Sequence, residues 1–345
     1  QTLALGIVLS MFTALVITRM ILKALYAVGL KDEKFYGKAK DRKTVNFLAK
    51  KKIFFTISLV MIIGGFVCMG VNKGTSGTAL NYSLDFVGGT STNVTFNEDM
   101  DLAALDSQVV PVIEKITKDA NVQVQKVAGG NQVIFKTRTL DVEERQALTE
   151  ALVENFGVNS DLITAETISS TISSEMRSDA IVAVVIAAIC MLLYIWFRFK
   201  DIRFATSSVA ALIHDVLVVL AFYAVARVSV GSTFIACMLT IVGYSINATI
   251  VIFDRIRENL GAMTKKDDLE QLVNRSISQT LSRSIFTSLT TFFMVAALFV
   301  LGVSSIREFA LPLMVGIVCG TYSSVCITGA LWYVLRTKIG TKKNK

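Results

Sequence analysis

The chain has 345 residues, of which 53% are hydrophobic and only 18% charged, with two prolines, one histidine and five cysteines. So much apolar sequence, gathered into long runs, excludes an ordinary soluble domain and points to a polytopic membrane protein. The net charge of +8 does not mark a nucleic-acid binder: residues 73–178 carry eight Lys/Arg and fifteen Asp/Glu, and the remaining +15 sits in short segments beside apolar runs, the pattern that orients membrane proteins.

Leu3 to Leu22 is the first apolar span, interrupted by Gly6, Ser10, Thr13, Thr18 and Arg19. It has neither a basic leading segment nor a small-residue cleavage site, so it reads as a span and not as a signal peptide. The initial Gln1 leads us to expect a fragment or a processed product. Lys23 to Lys52 holds ten Lys/Arg and three acids with little apolar periodicity. It reads as a solvated cytoplasmic connector, with contact to anionic headgroups as the weaker reading. Ile53 to Val71 is the second span; Lys50-Lys51-Lys52 places its start inside and Asn72 onward outside.

Residues 72–178 read as an extracytoplasmic α+β domain. Thr90 to Phe96 alternates as a strand, and Asp101 to Lys118 has helical periodicity interrupted by Pro111. Asn121 to Val127 alternates again, and Ala128-Gly129-Gly130-Asn131 supplies a hairpin turn into Gln132 to Lys136. Asp141 is the expected N-cap of a helix to Asn155, with Glu143 and Glu144 in its first turn and Gly157 past its end. Leu162 to Ile168 closes the set as a strand. The order β-α-β-β-α-β is that of a ferredoxin-like fold, which by itself decides no function.

Five more spans follow within 179–335: Ala180 to Phe197, Phe204 to Ala226, Phe234 to Phe253, Ile285 to Leu301 and Phe309 to Leu335. Arg227 to Ser232 and Gly302 to Glu308 are the outer turns. Asp254 to Ser282 is a partly amphipathic cytoplasmic segment with Lys265-Lys266-Asp267-Asp268 as its polar turn, and the tail 336–345 is basic and cytoplasmic. The expected architecture is an α-helical membrane protein of about seven spans.

Several polar groups inside these spans stand out. Asp215 lies near the middle of its span beside His214; an ionisable pair at that depth requires a polar partner or a pathway. Thr240, Tyr244, Asn247 and Asp254 fall along one side of their helix with Gly243 beside them, which reads either as packing glue or as a face toward protein or a wet cavity. Thr280, Arg283, Thr287 and Thr290 make a similar row, so Arg283 either snorkels to headgroups or faces the interior. Gly316, Gly320, Ser324 and Thr328 form a small-residue row suited to close helix approach. Cys68, Cys190, Cys237, Cys319 and Cys326 lie unpaired in apolar runs and read as small hydrophobes, so no disulfide framework, zinc site or other metal is expected. No phosphate-binding lysine loop, catalytic serine triad or other enzyme signature is present, and no cofactor is expected.

Gly243 to Asn259, GYSINATIVIFDRIREN, is similar to the signature of the SecF family, the smaller half of the SecDF protein-export factor of the resistance-nodulation-division group. Leu84 to Thr90, LDFVGGT, resembles that family's motif outside its first helix, so Asp85, Gly88, Gly89 and Thr90 join Gly243, Asp254 and Arg255 as motif positions. Residues 2–6 and 10–14 resemble the last helix of SecD, which makes six of the seven spans SecF-like. The resemblance implies an accessory subunit that uses an ion gradient to promote preprotein export across the cytoplasmic membrane. Its implied partners are the SecD half, the SecYEG channel, unfolded preproteins and the bilayer, with no nucleic acid. The stretch around Arg283 is similar to the one whose arginine the family uses in ion coupling, so Tyr244, Asn247, His214, Asp215 and Arg283 are the candidate coupling residues.

One departure weighs against that match. The family places an aspartate after the asparagine, and takes it as a reversible proton site; this chain has Ala248. Asn247 can hydrogen-bond but cannot exchange a proton near neutral pH. The SecD half, Asp215 or sodium could stand in, or the alanine is an introduced change. Two other readings stay open. One is an exporter of small hydrophobic molecules or lipids, which a single small outer domain disfavours. The other is an uncoupled stabiliser of the channel, which Ala248 favours.

Overall fold

The computed structural model describes residues 2–32, 35, 44–119, 122–127, 130–264, 267–302 and 304–340. It divides into two units, Gln1–Lys43 and Thr44–Lys345. The first unit carries the long helix α1, formed by Thr2–Phe12, a π-helical turn Thr13–Ile17 and Thr18–Val28, and ended by Gly29 at φ +113°. It outruns the expected apolar span by six residues, because Lys23 ends the apolar run without ending the run of good helix formers. Of the expected connector, residues 33, 34 and 36–43 lie outside the described residues.

Near its end the connector is docked at Phe47 and Leu48, while Thr44, Val45 and Asn46 keep exposed side chains. The backbone N–H of Val45 donates to Ser278 Oγ at 3.0 Å, and those of Phe47 and Leu48 both donate to Asn274 Oδ1 at 2.9 and 3.1 Å. Leu48 is fully buried. These contacts lead into α2, Lys51–Ser76.

The sheet domain follows. Strand β1, Asn81–Tyr82, precedes β2, Gly89–Thr95; helix α3 runs Leu102–Ala104, Leu105–Val109 and Val110–Thr117; then come β3, Gln123–Lys126, β4, Gln132–Thr137, α4, Val142–Phe156, and β5, Thr164–Ile168. The sheet order β3-β4-β2-β5, antiparallel throughout, is the ferredoxin-like arrangement. The middle of α3, Leu105–Val109, is a π-helical turn that ends just before Pro111, which has no N–H to give to a regular ladder. Asp141 and Glu144 form a capping box on α4, and Gly157 closes it at φ +62°. Val94, Val133, Phe135, Ile113, Leu148 and Leu152 form the domain core. Of the expected hairpin turn, Ala128 and Gly129 lie outside the described residues.

The remaining helices are α5, Ser170–Phe199; α6, Ile202–Ala226; α7, Ser232–Gly261; α8, Leu269–Leu301; and α9, formed by Ser304–Tyr322, a π-helical turn Ser323–Thr328, and Gly329–Gly340. With α1 and α2, seven helices among the described residues are long and apolar enough to cross a membrane. Most are longer than their apolar runs. The partly amphipathic segment from Asp254 to Ser282 is largely the ends of α7 and α8, and α5 starts ten residues before Ala180. Charge ends an apolar stretch, but only a cap ends a helix: Ser169 caps α5, Asp201 α6 and Asp268 α8. Lys265 and Lys266 lie outside the described residues; their neighbour Asp267 accepts from the N–H and hydroxyl of Thr264.

Strand β6, Ser229–Val230, in the turn between α6 and α7, pairs in parallel with β1 and ties the sheet domain to the bundle. Inside the bundle Phe204 stacks on Trp332 at 4.9 Å and meets Phe253 edge-on at 4.7 Å, contacts worth about 0.5–1.5 kcal/mol each beyond their burial. The small-residue row of α9 lies on α7: a Cβ at Gly316 would collide with Ile241, and Gly320 sits against Ser245. Ser324 continues the contact, with its hydroxyl 3.1 Å from that of Thr249. This close approach places the serines of α7 and α9 beside α6.

Candidate functional site

Asp215 of α6 is completely buried, and its carboxylate collects four donors. Oδ1 faces His214 Nδ1 at 2.9 Å and accepts from Cys319 Sγ at 3.3 Å; Oδ2 accepts from Ser245 Oγ at 2.5 Å and Ser323 Oγ at 2.8 Å. A carboxylate has about four lone-pair positions, so this one is filled, from three different helices. The π-helical turn beginning at Ser323 aims that hydroxyl inward. His214 Nε2 is buried with no partner among the described residues, and its ring lies 6.2 Å from that of Tyr322. Tyr322 in turn donates to the Phe54 carbonyl at 2.8 Å, linking α9 to α2.

Neither Ser245, Ser323 nor Cys319 is evident as a site residue from the sequence. Ser245 sits inside the motif beginning at Gly243, and Cys319 lies next to Gly320 of the small-residue row, but only packing aims them at Asp215. Cys319 is therefore a hydrogen-bond donor as well as a buried small side chain. The ligand atoms of His214, Asp215 and Cys319 lie within 4.8 Å of one another, a spacing that could hold a metal ion.

The other candidates lie on the far side of α7. Tyr244, Asn247, Ala248 and Val251 of α7 and Arg283, Ser284, Thr287 and Ser288 of α8 line a cleft of about 80 Å³. The structure thus groups Tyr244 and Asn247 with Arg283, apart from His214 and Asp215. The expected polar side of α7 is not its buried one: Thr240 and Asn247 are exposed, and the buried polar residues are Ser245 and Thr249. On α8, of Thr280, Arg283, Thr287 and Thr290 only Thr280 is buried, while Ser276, Ser284 and Ser288 are buried beside it. Both helices carry two polar rows, and spacing alone does not say which meets protein.

The motif residues act as joints. Asp85 Oδ2 accepts from the N–H of Ser232 at 3.0 Å and its hydroxyl at 2.6 Å, fixing the start of α7 to the entry of the sheet domain. Gly88 and Gly89 adopt φ of +77° and +127°, and a Cβ at Gly89 would strike the Thr137 carbonyl. The stretch is an anchored corner. Thr90 is buried, its hydroxyl accepting from the Leu140 N–H at 2.9 Å. At the opposite end of α7, Asp254 receives Arg198 of α5 at 2.9 Å, and Arg255 donates to Gln279 of α8 at 2.7 Å. Where the sheet meets the bundle, Gln125 Nε2 donates to Glu308 at 3.2 Å. Burial there pushes the Lys136 ammonium down, against the pull of Glu308 and Asp85.

Comparison with known proteins gives a consistent result. The C-terminal model of the protein export membrane proteins SecD/SecF matches residues 148–338. The protein translocase subunit SecF of Sebaldella termitidis is 36% identical over 292 residues, 85% of this chain and 92% of that protein. The SecF of Vibrio alginolyticus is 34% identical over 312 residues, 88% of this chain and 92% of that one. Among solved structures, SecDF of Thermus thermophilus, described as a translocon-associated membrane protein, superposes with a TM-score of 0.80 at 32% identity over 97% of this chain. This chain spans 44% of that SecDF chain.

Proposed function

The chain belongs to the SecF family of protein translocase subunits, and on that premise we propose that it draws on an ion gradient, together with a SecD half of the same polypeptide, to promote preprotein export. The observation that carries this reading is the Asp215 carboxylate, buried within membrane-spanning helices and held by donors from α6, α7 and α9. With Ala248 in the α7–α8 cleft, Asp215 is the group that takes up and releases the proton.

A proton on Asp215 would occupy one acceptor position, so at least one of the four donors must turn away. A hydrogen bond to a charged group is worth about 1.5–3 kcal/mol. Moving one charge through 100 mV supplies about 2.3 kcal/mol. The two are comparable, so one proton suffices to bias the contact between α6 and α7. The shift has a route outward: Ser245 lies on α7, α7 begins at Ser232, and Ser232 is held by Asp85 at the entry of the sheet domain.

In this reading the sheet domain lies outside the cytoplasmic membrane and the basic segments lie inside, with SecYEG and emerging preproteins as partners. A cysteine placed at Asn131 labels from outside in intact cells. Export in cells carrying the chain slows when the gradient is collapsed, by more than export in cells lacking it. Equal slowing in both would favour the uncoupled stabiliser that Ala248 suggests.

A further inference from the structure

We propose that the α7–α8 cleft is a binding site for a small monovalent anion of the halide class, chloride in the cell. The cleft is lined by Arg283, Tyr244, Asn247, Ser284 and Thr287, and no carboxylate contributes to it among the described residues. Arg283 brings a fixed positive charge with five N–H donors and no acceptor. Neither an ion pair nor a hydrogen bond engages Arg283, the Tyr244 hydroxyl or the Asn247 amide among the described residues.

A second observation points the same way. Ser284 is 4% exposed, lines the cleft, and its Oγ has no hydrogen-bond partner. A buried hydroxyl left unpaired is costly, and a hydroxyl, an amide and a guanidinium lining one cleft are the donor set an anion takes. A cation would find a fixed charge of its own sign. Ala248 decides the polarity of the cleft: a carboxylate at that position would sit in the same cleft as Arg283 and neutralise it internally. With alanine there, the neutralising charge must come from elsewhere.

This inference concerns a different face of α7 from Asp215 and does not rest on the gradient reading, because the test measures binding and not export. The protein, purified in detergent together with its SecD half, is titrated with chloride while the ³⁵Cl line width is followed, with gluconate as the replacement anion. The parent is expected to show saturable excess broadening. Arg283→Gln and Ala248→Asp are each expected to abolish it, the first by removing the charge and the second by filling its place. Matching elution profiles and melting curves in gluconate establish that both variants are folded. Absence of a saturable site in the parent, which is the outcome if a SecD carboxylate already neutralises Arg283, overturns the proposal. So does retention of the site in either folded variant.

Discussion

Ser245 Oγ lies 2.5 Å from Asp215 Oδ2, so the residue after Tyr244 in the α7 motif closes a buried carboxylate on α6 while Tyr244 itself lines the cleft on the other side. One helix therefore separates the two candidate sites. A change in the position of α7 reaches both.

Removing the Ser245 hydroxyl should expose how much that closure is worth. Ser245→Ala is expected to destabilise the protein by about 1.5–3 kcal/mol, the range for a hydrogen bond to a charged group. Ser323→Ala should cost a similar amount, and the double variant more than the sum, because after either single loss the other hydroxyl still donates to the same oxygen. Thermal scans of the detergent-solubilised variants read this directly; melting temperatures equal to the parent's would show that the carboxylate is satisfied without them.

Arg283 separates a placed charge from a headgroup anchor. As part of the cleft, its loss in Arg283→Leu or Arg283→Gln should lower preprotein export several-fold with unchanged membrane abundance, since the side chain is exposed and carries no core packing. Arg283→Lys should retain part of the activity. Pulse-labelled secretion rates that match the parent in all three would leave Arg283 as a snorkelling residue.

The sheet domain has its own pH signature. The Arg138 guanidinium, hydrogen-bonded to Glu144, holds that carboxyl below its usual value of 4.5, and the Asp141 N–H adds to the effect. A lowered carboxyl pKa gives stability that is present above the unfolded-state value and lost as pH falls through the folded-state one. Amide exchange in α4 should therefore hold steady from pH 7 to about 5, after correction for intrinsic rates, and quicken below 4.5. Glu144→Gln should exchange faster at neutral pH and lose that dependence. A parent whose protection is unchanged at low pH would rule the pair out as a contributor.

Much of this structure is legible in the sequence because local physics dictates it. Apolar runs long enough to span a bilayer, the alternation of β2 and β4, and Asp141 with Gly157 at the two ends of α4 all announce themselves. Helix ends in the bundle are less legible, since Asp254 to Glu258 interrupts hydrophobicity without interrupting the helix. The Asp215 centre is half legible. A carboxylate in mid-span signals a need for partners, but those partners lie 30, 104 and 108 residues away, and only the packing of α6, α7 and α9 selects Ser245, Cys319 and Ser323. The faces of α7 and α8 mislead for the same reason: Asn247 and Ser245 are both polar, and tertiary contact alone decides which is buried.

The central claim is that the gradient enters through Asp215, and Asp215→Asn tests it most directly. The amide keeps the size of the carboxylate but replaces one acceptor oxygen by a donor and cannot take up a proton near neutral pH. Preprotein translocation would be followed in vesicles with an imposed proton gradient and with the gradient dissipated by an uncoupler, for the parent and the variant at equal abundance. The account predicts that the parent accelerates with the gradient, whereas Asp215→Asn translocates at the parent's uncoupled rate under both conditions. A variant that still accelerates as the parent does would contradict it.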